Sequence, residues 1–199
     1  KLVTGVQTCA LPISTGQPKG IAVEHAALTN YLAWITTEVC DDSAIPVTAS
    51  VSFDPSIGQI LGPLVSGTYA WLLPRDLLSR PRDLLRTIAG HGRMVALGCG
   101  PALWKVLLEE IAAAPELYSA CLHRVGLGGE PIAQEMVEKT LGLMPNLKLW
   151  NAYGPSESTI TATRHGPLQA GVVPPIGKPI WNTRVYVLDE HLRPVPVGI

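Results

Sequence analysis

An α/β fold, with a largely parallel sheet flanked by helices, is predicted by three observations. Strand-like and helix-like segments alternate through most of the 199 residues. Three of the helical segments open on proline or close on glycine, as helix boundaries do. The segments FDPS, GLGGE and NAYGPSES each follow a predicted strand. Parallel sheets bind ligands at the carboxyl ends of their strands.

The elements follow in order. Residues 20–25 read as a short strand. Residues 25–39 read as a helix, with Leu28, Leu32 and Ile35 near one face. Residues 47–52, VTASVS, are β-branched and small and read as a buried strand. Residues 56–67 read as a helix closed by Gly67, and 68–73 as the next strand. Residues 80–92 suit a short amphipathic helix with a glycine stop, followed by a strand at 93–99. Residues 101–114 read as a helix with Pro101 in its first turn, where the missing N–H costs nothing. A strand at 123–130, a helix at 132–144, a strand at 147–154 and a late strand at 183–189 complete the chain. There is no internal repeat and no low-complexity tract.

Composition narrows the function classes. Hydrophobic residues make up 47% and charged residues 16%, which is globular and not disordered. A net charge of −1 supplies no field for nucleic acid or an anionic membrane, so neither is expected as a partner. No apolar run approaches the roughly 18–20 residues of a membrane span, and no export signal opens the chain. Cys9, Cys40, Cys99 and Cys121 form no CxxC pair and have no histidine at zinc spacing. They are expected as free thiols in a reducing, cytoplasmic setting. Both ends read as cut: the start opens onto a loop motif, and LRPVPVGI stops within a turn. A piece of something longer is expected.

Two segments carry chemistry. In STGQPKG, small residues let backbone N–H groups approach phosphate oxygens, hydroxyls add donors, and Lys19 supplies a point charge. Its spacing is not that of the GxxxxGK[ST] P-loop, and a plain surface turn is the alternative. In NAYGPSES, Tyr153 can stack on a base, Asn151 can read a base edge, and Glu157 can ligate Mg²⁺. A capped helix start is the alternative there. His25 reads as helix-start or core packing. His91, His123 and His165 have no partner at ligand spacing, and no GxSxG is present. Trp34, Trp71 and Trp104 read as core or rim.

The order STGxPKG, FDxS, GGE, NxYGPSE and IGKPIWNTRVYVLDEHLRPVPVG, over residues 14–199, resembles the adenylation domains of nonribosomal peptide synthetases. These belong to the adenylate-forming superfamily, with acyl-CoA synthetases and luciferases. The resemblance implies part of the N-terminal domain of that fold, truncated at both ends. It implies that Ser14, Thr15, Gly16 and Lys19 hold the β- and γ-phosphates of ATP, that Asn151 and Tyr153 lie at the adenine, and that Ser156 lies near the α-phosphate or substrate carboxylate. Glu157 helps to hold Mg²⁺. Asp54 pairs with the α-ammonium of an amino acid, although a helix N-cap role is compatible. The side-chain pocket comprises Asp54, Pro55, Gly58, Gly98, Gly126, Gly128, Ala152, Ile160 and Thr161. Four glycines there suggest space and a bulky or long substrate side chain. The family's commoner form has an aromatic and then Glu where Gly58 and Gln59 stand.

The same resemblance places the ribose-binding acid, the hinge and the catalytic lysine beyond residue 199, so no catalytic residue is expected within the chain and no turnover by it alone. The parent would form aminoacyl-AMP from an amino acid and ATP with Mg²⁺. It would then load the phosphopantetheine thiol of a carrier domain, with carrier and condensation domains as partners. Two alternatives stand beside this. One is an acyl-CoA synthetase or aryl-acid-activating domain, against which Asp54 argues because such acids bring no amine. The other is a noncatalytic ligand-binding fragment.

Residues 1–13 fit poorly before a phosphate loop. Pro12 sits where an extended strand should hydrogen-bond, and no convincing strand precedes Ser14. VTGVQTCALPI, residues 3–13, is similar over all eleven positions to the in-frame translation of a common short-read sequencing adapter. Residues 1–13 are therefore expected to be non-native, and residues 14–199 a partial AMP-binding domain.

Overall fold

The computed structural model describes residues 6–8 and 20–196. Strand β1 (Val6–Thr8) pairs antiparallel with β2 (Ala22–Glu24). Helix α1 (His25–Glu38) buries Leu28, Tyr31 and Trp34, one stripe at helical spacing. Strand β3 (Pro46–Val47) pairs in parallel with β4 (Trp71–Leu72), and helix α2 (Pro55–Val65) connects them. A 3₁₀ turn (Arg75–Ser79) leads to α3 (Pro81–Ala89). Strand β5 (Val95–Cys99), helices α4 (Pro101–Ile111) and α5 (Pro115–Ser119), β6 (Leu122–Gly128), α6 (Gln134–Leu143) and β7 (Lys148–Tyr153) follow. Strands β8 (Thr163–His165) and β9 (Lys178–Pro179) close the order. No helix among the described residues is long and apolar enough to cross a membrane.

The main sheet runs β5-β6-β7-β8-β9, parallel through β7 and antiparallel beyond it. Period-2 alternation divides its faces. Leu97, Val125, Leu127 and Leu149 point into the larger core, against Leu84, Leu85 and Ile88 of α3, Trp104, Leu107, Leu108 and Ile111 of α4, and Val137 of α6. Trp104 is fully buried, and its indole N–H donates to Thr140 Oγ1 of α6 at 2.9 Å, so its one polar atom is satisfied. The other face carries Gly98, Gly126, Gly128 and Ala152, with Trp150 opposite Gly126 and the Arg164 guanidinium 3.7 Å over its ring. A second cluster, Leu28, Tyr31, Trp34, Ile160 and Ile180, joins α1 to the segments after β7 and β9.

The structure departs from the sequence reading in four places. Residues 183–189 form no strand; Val185, Tyr186 and Val187 are exposed, and the segment is held by the Leu188–Pro194 bridge, the Val195 N–H to Val187 O bond and the Asp189–Arg193 turn bonds. The strand read at 47–52 ends at Val47, because the Thr48 and Ala49 N–H groups donate to the Gln59 side chain and not to a neighbouring strand. Helix α5 and strands β8 and β9 were not legible. Before the phosphate loop, where no strand was expected, Val6–Thr8 does form one, in a two-stranded ribbon outside the main sheet. Trp34 and Trp104 are core as expected, and His25 begins α1.

Candidate functional site at the strand ends

Sheet register assembles the site. Gly98 lies opposite Gly126, and Gly128 opposite Ala152, so four of the anticipated pocket positions stand side by side across β5, β6 and β7. Helix α2 approaches this surface through Gln59, with Asp54 at its start beside Ser156 and Gly58 turned to Tyr31 and Ile35 of α1. Gln59 fixes that approach. Its Oε1 accepts the N–H groups of Thr48 and Ala49, both at 2.9 Å. Its Nε2 donates to Gly98 O at 3.0 Å and to Thr48 Oγ1 at 3.1 Å. The Thr48 hydroxyl donates to Gly98 O as well. A glutamate could not donate to Gly98 O when ionised; an amide both donates and accepts.

The loop from Tyr153 to Ala162 folds tightly back, with Ala162 N–H donating to Tyr153 O at 2.8 Å. Gly154 is required there, because a Cβ would meet Ile160 O at 2.5 Å. Thr159 and Ile160 both take positive φ, 65° and 70°, an unfavourable region for β-branched residues. Strain of this kind persists where surrounding structure over-determines it, and it clusters at ligand-binding loops. The loop presents Ser156 and Glu157 on a 3₁₀ turn (Ser156–Ser158) and buries Ile160 and Thr161 against α1.

Asp54 stands at the N-cap position of α2 but makes no side-chain cap bond. Its Oδ2 is buried and has no hydrogen-bond partner among the described residues. Burial holds its carboxyl above the ordinary range, opposed by the Ser156 hydroxyl and reinforced by the Glu157 charge. A carboxylate so placed is suited to an incoming cation. Asn151 is buried, and its amide donates to Pro175 O at 2.9 Å. Tyr153 is 49% exposed at the end of β7, with its ring open to stacking.

The structure thus brings together Asp54, Gly58, Gly98, Gly126, Gly128, Ala152, Ser156, Ile160 and Thr161. Ser14, Thr15, Gly16 and Lys19 lie outside the described residues. Space at all four glycines is not observed. Only at Gly126 does an added Cβ meet nothing within 4 Å. At Gly128 it would meet Ala152 O at 2.6 Å, and at Gly98 it would meet Gln59 Nε2 at 3.1 Å. At Gly58 it would collide with the Tyr31 hydroxyl. Gln59, Thr48 and Tyr31 were missed as site residues. The one signal for them was the departure at Gly58-Gln59 from the aromatic-Glu form, which leaves volume and polarity for other residues to supply. No group of three or more His, Cys, Asp or Glu side chains that could hold a metal ion occurs among the described residues. Mg²⁺ held chiefly by phosphate oxygens with one protein carboxylate, Glu157, suits such a donor set. His123 and Arg124 contact Asp41 in an ion cluster at the opposite ends of the strands, apart from this site.

A family model described as AMP-binding enzyme matches residues 14–199. The chain is 35% identical over 191 residues to a dimodular nonribosomal peptide synthase of Bacillus subtilis (strain 168), covering 94% of this chain and 8% of that protein. It is 32% identical over 194 residues to indigoidine synthase of Dickeya dadantii (strain 3937), covering 93% of this chain and 13% of that protein. The chain thus spans only a small part of the length of these relatives. Among solved structures, a four-domain nonribosomal peptide synthetase bound to AMP and glycine superposes with a TM-score of 0.77 at 30% identity, over 92% of this chain and 13% of that one. IdnL1 superposes with a TM-score of 0.80 at 25% identity, over 92% of this chain and 38% of that one.

Proposed function

Because the chain belongs to the AMP-binding enzyme family, we propose that residues 14–199 are part of an adenylation domain that activates an amino acid in nonribosomal peptide synthesis. A carboxylate oxygen of the amino acid forms a bond to the α-phosphorus of ATP. The bond from that phosphorus to the β-phosphate bridging oxygen breaks, and pyrophosphate leaves with the electron pair. The carbonyl of the aminoacyl-AMP then accepts a carrier domain's phosphopantetheine thiolate, and AMP leaves. Carrier and condensation domains are the proposed partners, and the cytoplasm the proposed location.

The chain's own residues bind and orient. Asp54 receives the substrate ammonium, and Ser156 lies beside it at the reacting carboxylate and α-phosphate. Tyr153 stacks on adenine, with Asn151 buried at the same strand end. Ser14, Thr15, Gly16 and Lys19 hold the β- and γ-phosphates. Glu157 would hold Mg²⁺, which supplies charge neutralisation to the phosphates. Positioning and fixed charge of this kind carry in-line displacement at phosphorus.

The observation that carries this reading is Asp54 Oδ2, buried and without a hydrogen-bond partner among the described residues. An amine-bearing acid supplies the missing partner; a fatty or aryl acid does not. Amino-acid-dependent exchange of pyrophosphate into ATP by the full-length protein tests it. Asp54→Ala is expected to lower exchange about 30-fold or more, the cost of removing one partner of a buried charge pair. Exchange supported only by fatty or aryl acids would overturn the assignment.

Residues 1–13 are proposed to be adapter-derived. Support comes from the eleven-residue identity to the translated adapter and from the family match, which begins at residue 14. Resequencing an intact clone with VTGVQTCALPI still in frame would remove this proposal.

A further inference from the structure

Gly58 is a pocket position without a side chain, yet it opens no space. It is buried, and its missing side-chain volume is occupied from another element. A Cβ there would collide with Tyr31 Oη and lie 3.1 Å from Tyr31 Cζ and 3.2 Å from Ile35 Cδ1. Tyr31 belongs to α1, 27 positions earlier in the chain, and is only 4% exposed. Its hydroxyl interacts with the Thr161 hydroxyl and lies in the field of Asp54. Its neighbours in the second core cluster include Ile160. The Tyr31 side chain therefore packs into the position Gly58 vacates and lies beside Thr161, with Ile160 in the same core cluster, three positions of the proposed amino-acid pocket.

We propose that Tyr31 is a specificity-determining residue of this site, filling the volume that Gly58 vacates and restricting the substrate to an amino acid with a compact side chain. The inference rests on the amino-acid-activating reading above. It reverses the simpler expectation that glycine at position 58 admits a bulky substrate.

The other walls agree. Gly128 is closed by the carbonyl of Ala152. Gly98 is closed by Gln59, whose oxygen and nitrogen each already make two hydrogen bonds within the protein. Gln59 is thus a wall and not a free recognition group. The remaining opening is at Gly126.

The Tyr31–Gly58 contact can be tested in the full-length protein with two readouts. The first is amino-acid-dependent pyrophosphate exchange across a panel from glycine, alanine and serine to leucine, phenylalanine and tryptophan. Wild type is expected to favour the compact members. Tyr31→Ala is expected to shift the ratio of kcat/KM toward the large members by about 10-fold or more, the scale on which pocket volume discriminates. The second is thermal melting, which keeps the proposal open to failure where Tyr31→Ala does not fold. Gly58→Ala should lower the melting temperature in wild type and lower it less in a Tyr31→Phe background, where the colliding oxygen is gone. A residue that only packs the core would lower stability without reordering the panel. Wild-type exchange with an unchanged ranking in Tyr31→Ala overturns the inference and leaves the amino-acid reading intact. So does a Gly58→Ala penalty equal in both backgrounds. A wild-type preference for large members also overturns it. Absence of exchange with every amino acid overturns both.

Discussion

A carboxylate buried without a partner should leave a signature in stability before any substrate is added. Burial lifts Asp54 above the ordinary carboxylate range, against the Ser156 hydroxyl and with the Glu157 charge. Between its unfolded and folded values, the folded chain therefore binds more protons than the unfolded one. Stability falls as pH rises through that window, the reverse of a carboxylate held low by a salt bridge. Asp54→Asn removes the penalty. Its melting temperature is expected to exceed that of wild type at neutral pH, with the gap closing as pH falls to about 4, where unfolded carboxylates protonate. A wild type that gains on the Asn variant from about pH 4 to 7 would mean that the carboxylate already has its cation. Asp54 itself was legible in the sequence, as were Ser156 and Glu157, because short motifs report them. Tyr31 and Gln59 were not. Their roles depend on which helix faces which strand end, and no local pattern encodes a hydroxyl reaching across to an empty glycine.

At the level of elements, legibility follows the strength of the local signal. Helices α1 and α6 show apolar spacing, and α2, α3 and α4 add prolines in their first turns, and the sequence reading found each of them. Strands β5, β6 and β7 are apolar and flanked by turns, and they too were found. Strands β8 and β9, at 3 and 2 residues, are too short to show a period and exist because β7 offers an edge. Conversely, TRVYVLD has the β-branched composition of a strand, but among the described residues it gains only a single bridge, so composition alone misled. Packing between found elements yields a prediction. Trp104 of α4 donates its only polar hydrogen to Thr140 of α6, and both residues are fully buried. Thr140→Val keeps the shape and deletes the acceptor, leaving a buried N–H unpaired at a cost of about 1–3 kcal/mol. Urea unfolding measures this; Thr140→Ser, which keeps the hydroxyl, should recover most of the bond while losing a methyl group. A Thr140→Val variant as stable as wild type would show that the hydrogen bond contributes nothing.

Over the molecule as a whole, buried and exposed apolar surface are unevenly placed. The core around Trp104 is closed on all sides, while two rims carry large apolar side chains in water. One rim follows the β3–β4 pair and the ends of α2: Val51, Phe53, Leu64, Val65 and Leu72 are 81%, 61%, 50%, 61% and 68% exposed. The other follows the late segments, where Val173, Tyr186, Val187 and Leu192 are 74%, 61%, 66% and 78% exposed. Single exposed apolar residues are ordinary, but this many large ones on two rims leave apolar surface for another chain to cover. The β3–β4 pair also has only two residues per strand and a free edge, which invites pairing by another chain. A net charge of −1 opposes this with little repulsion. The 199-residue chain is therefore expected to self-associate at micromolar concentration and to bind a hydrophobic dye while its helical signal is intact. Light scattering and dye fluorescence across a dilution series measure this. Because the rims lie on small, weakly tied elements and not on the main core, association should weaken when Phe53 and Leu72 are both replaced by serine, with little change in the main melting transition. A clean monomer with a single cooperative melt, and no dye binding, would show that these rims are not sticky and that the fold closes on itself.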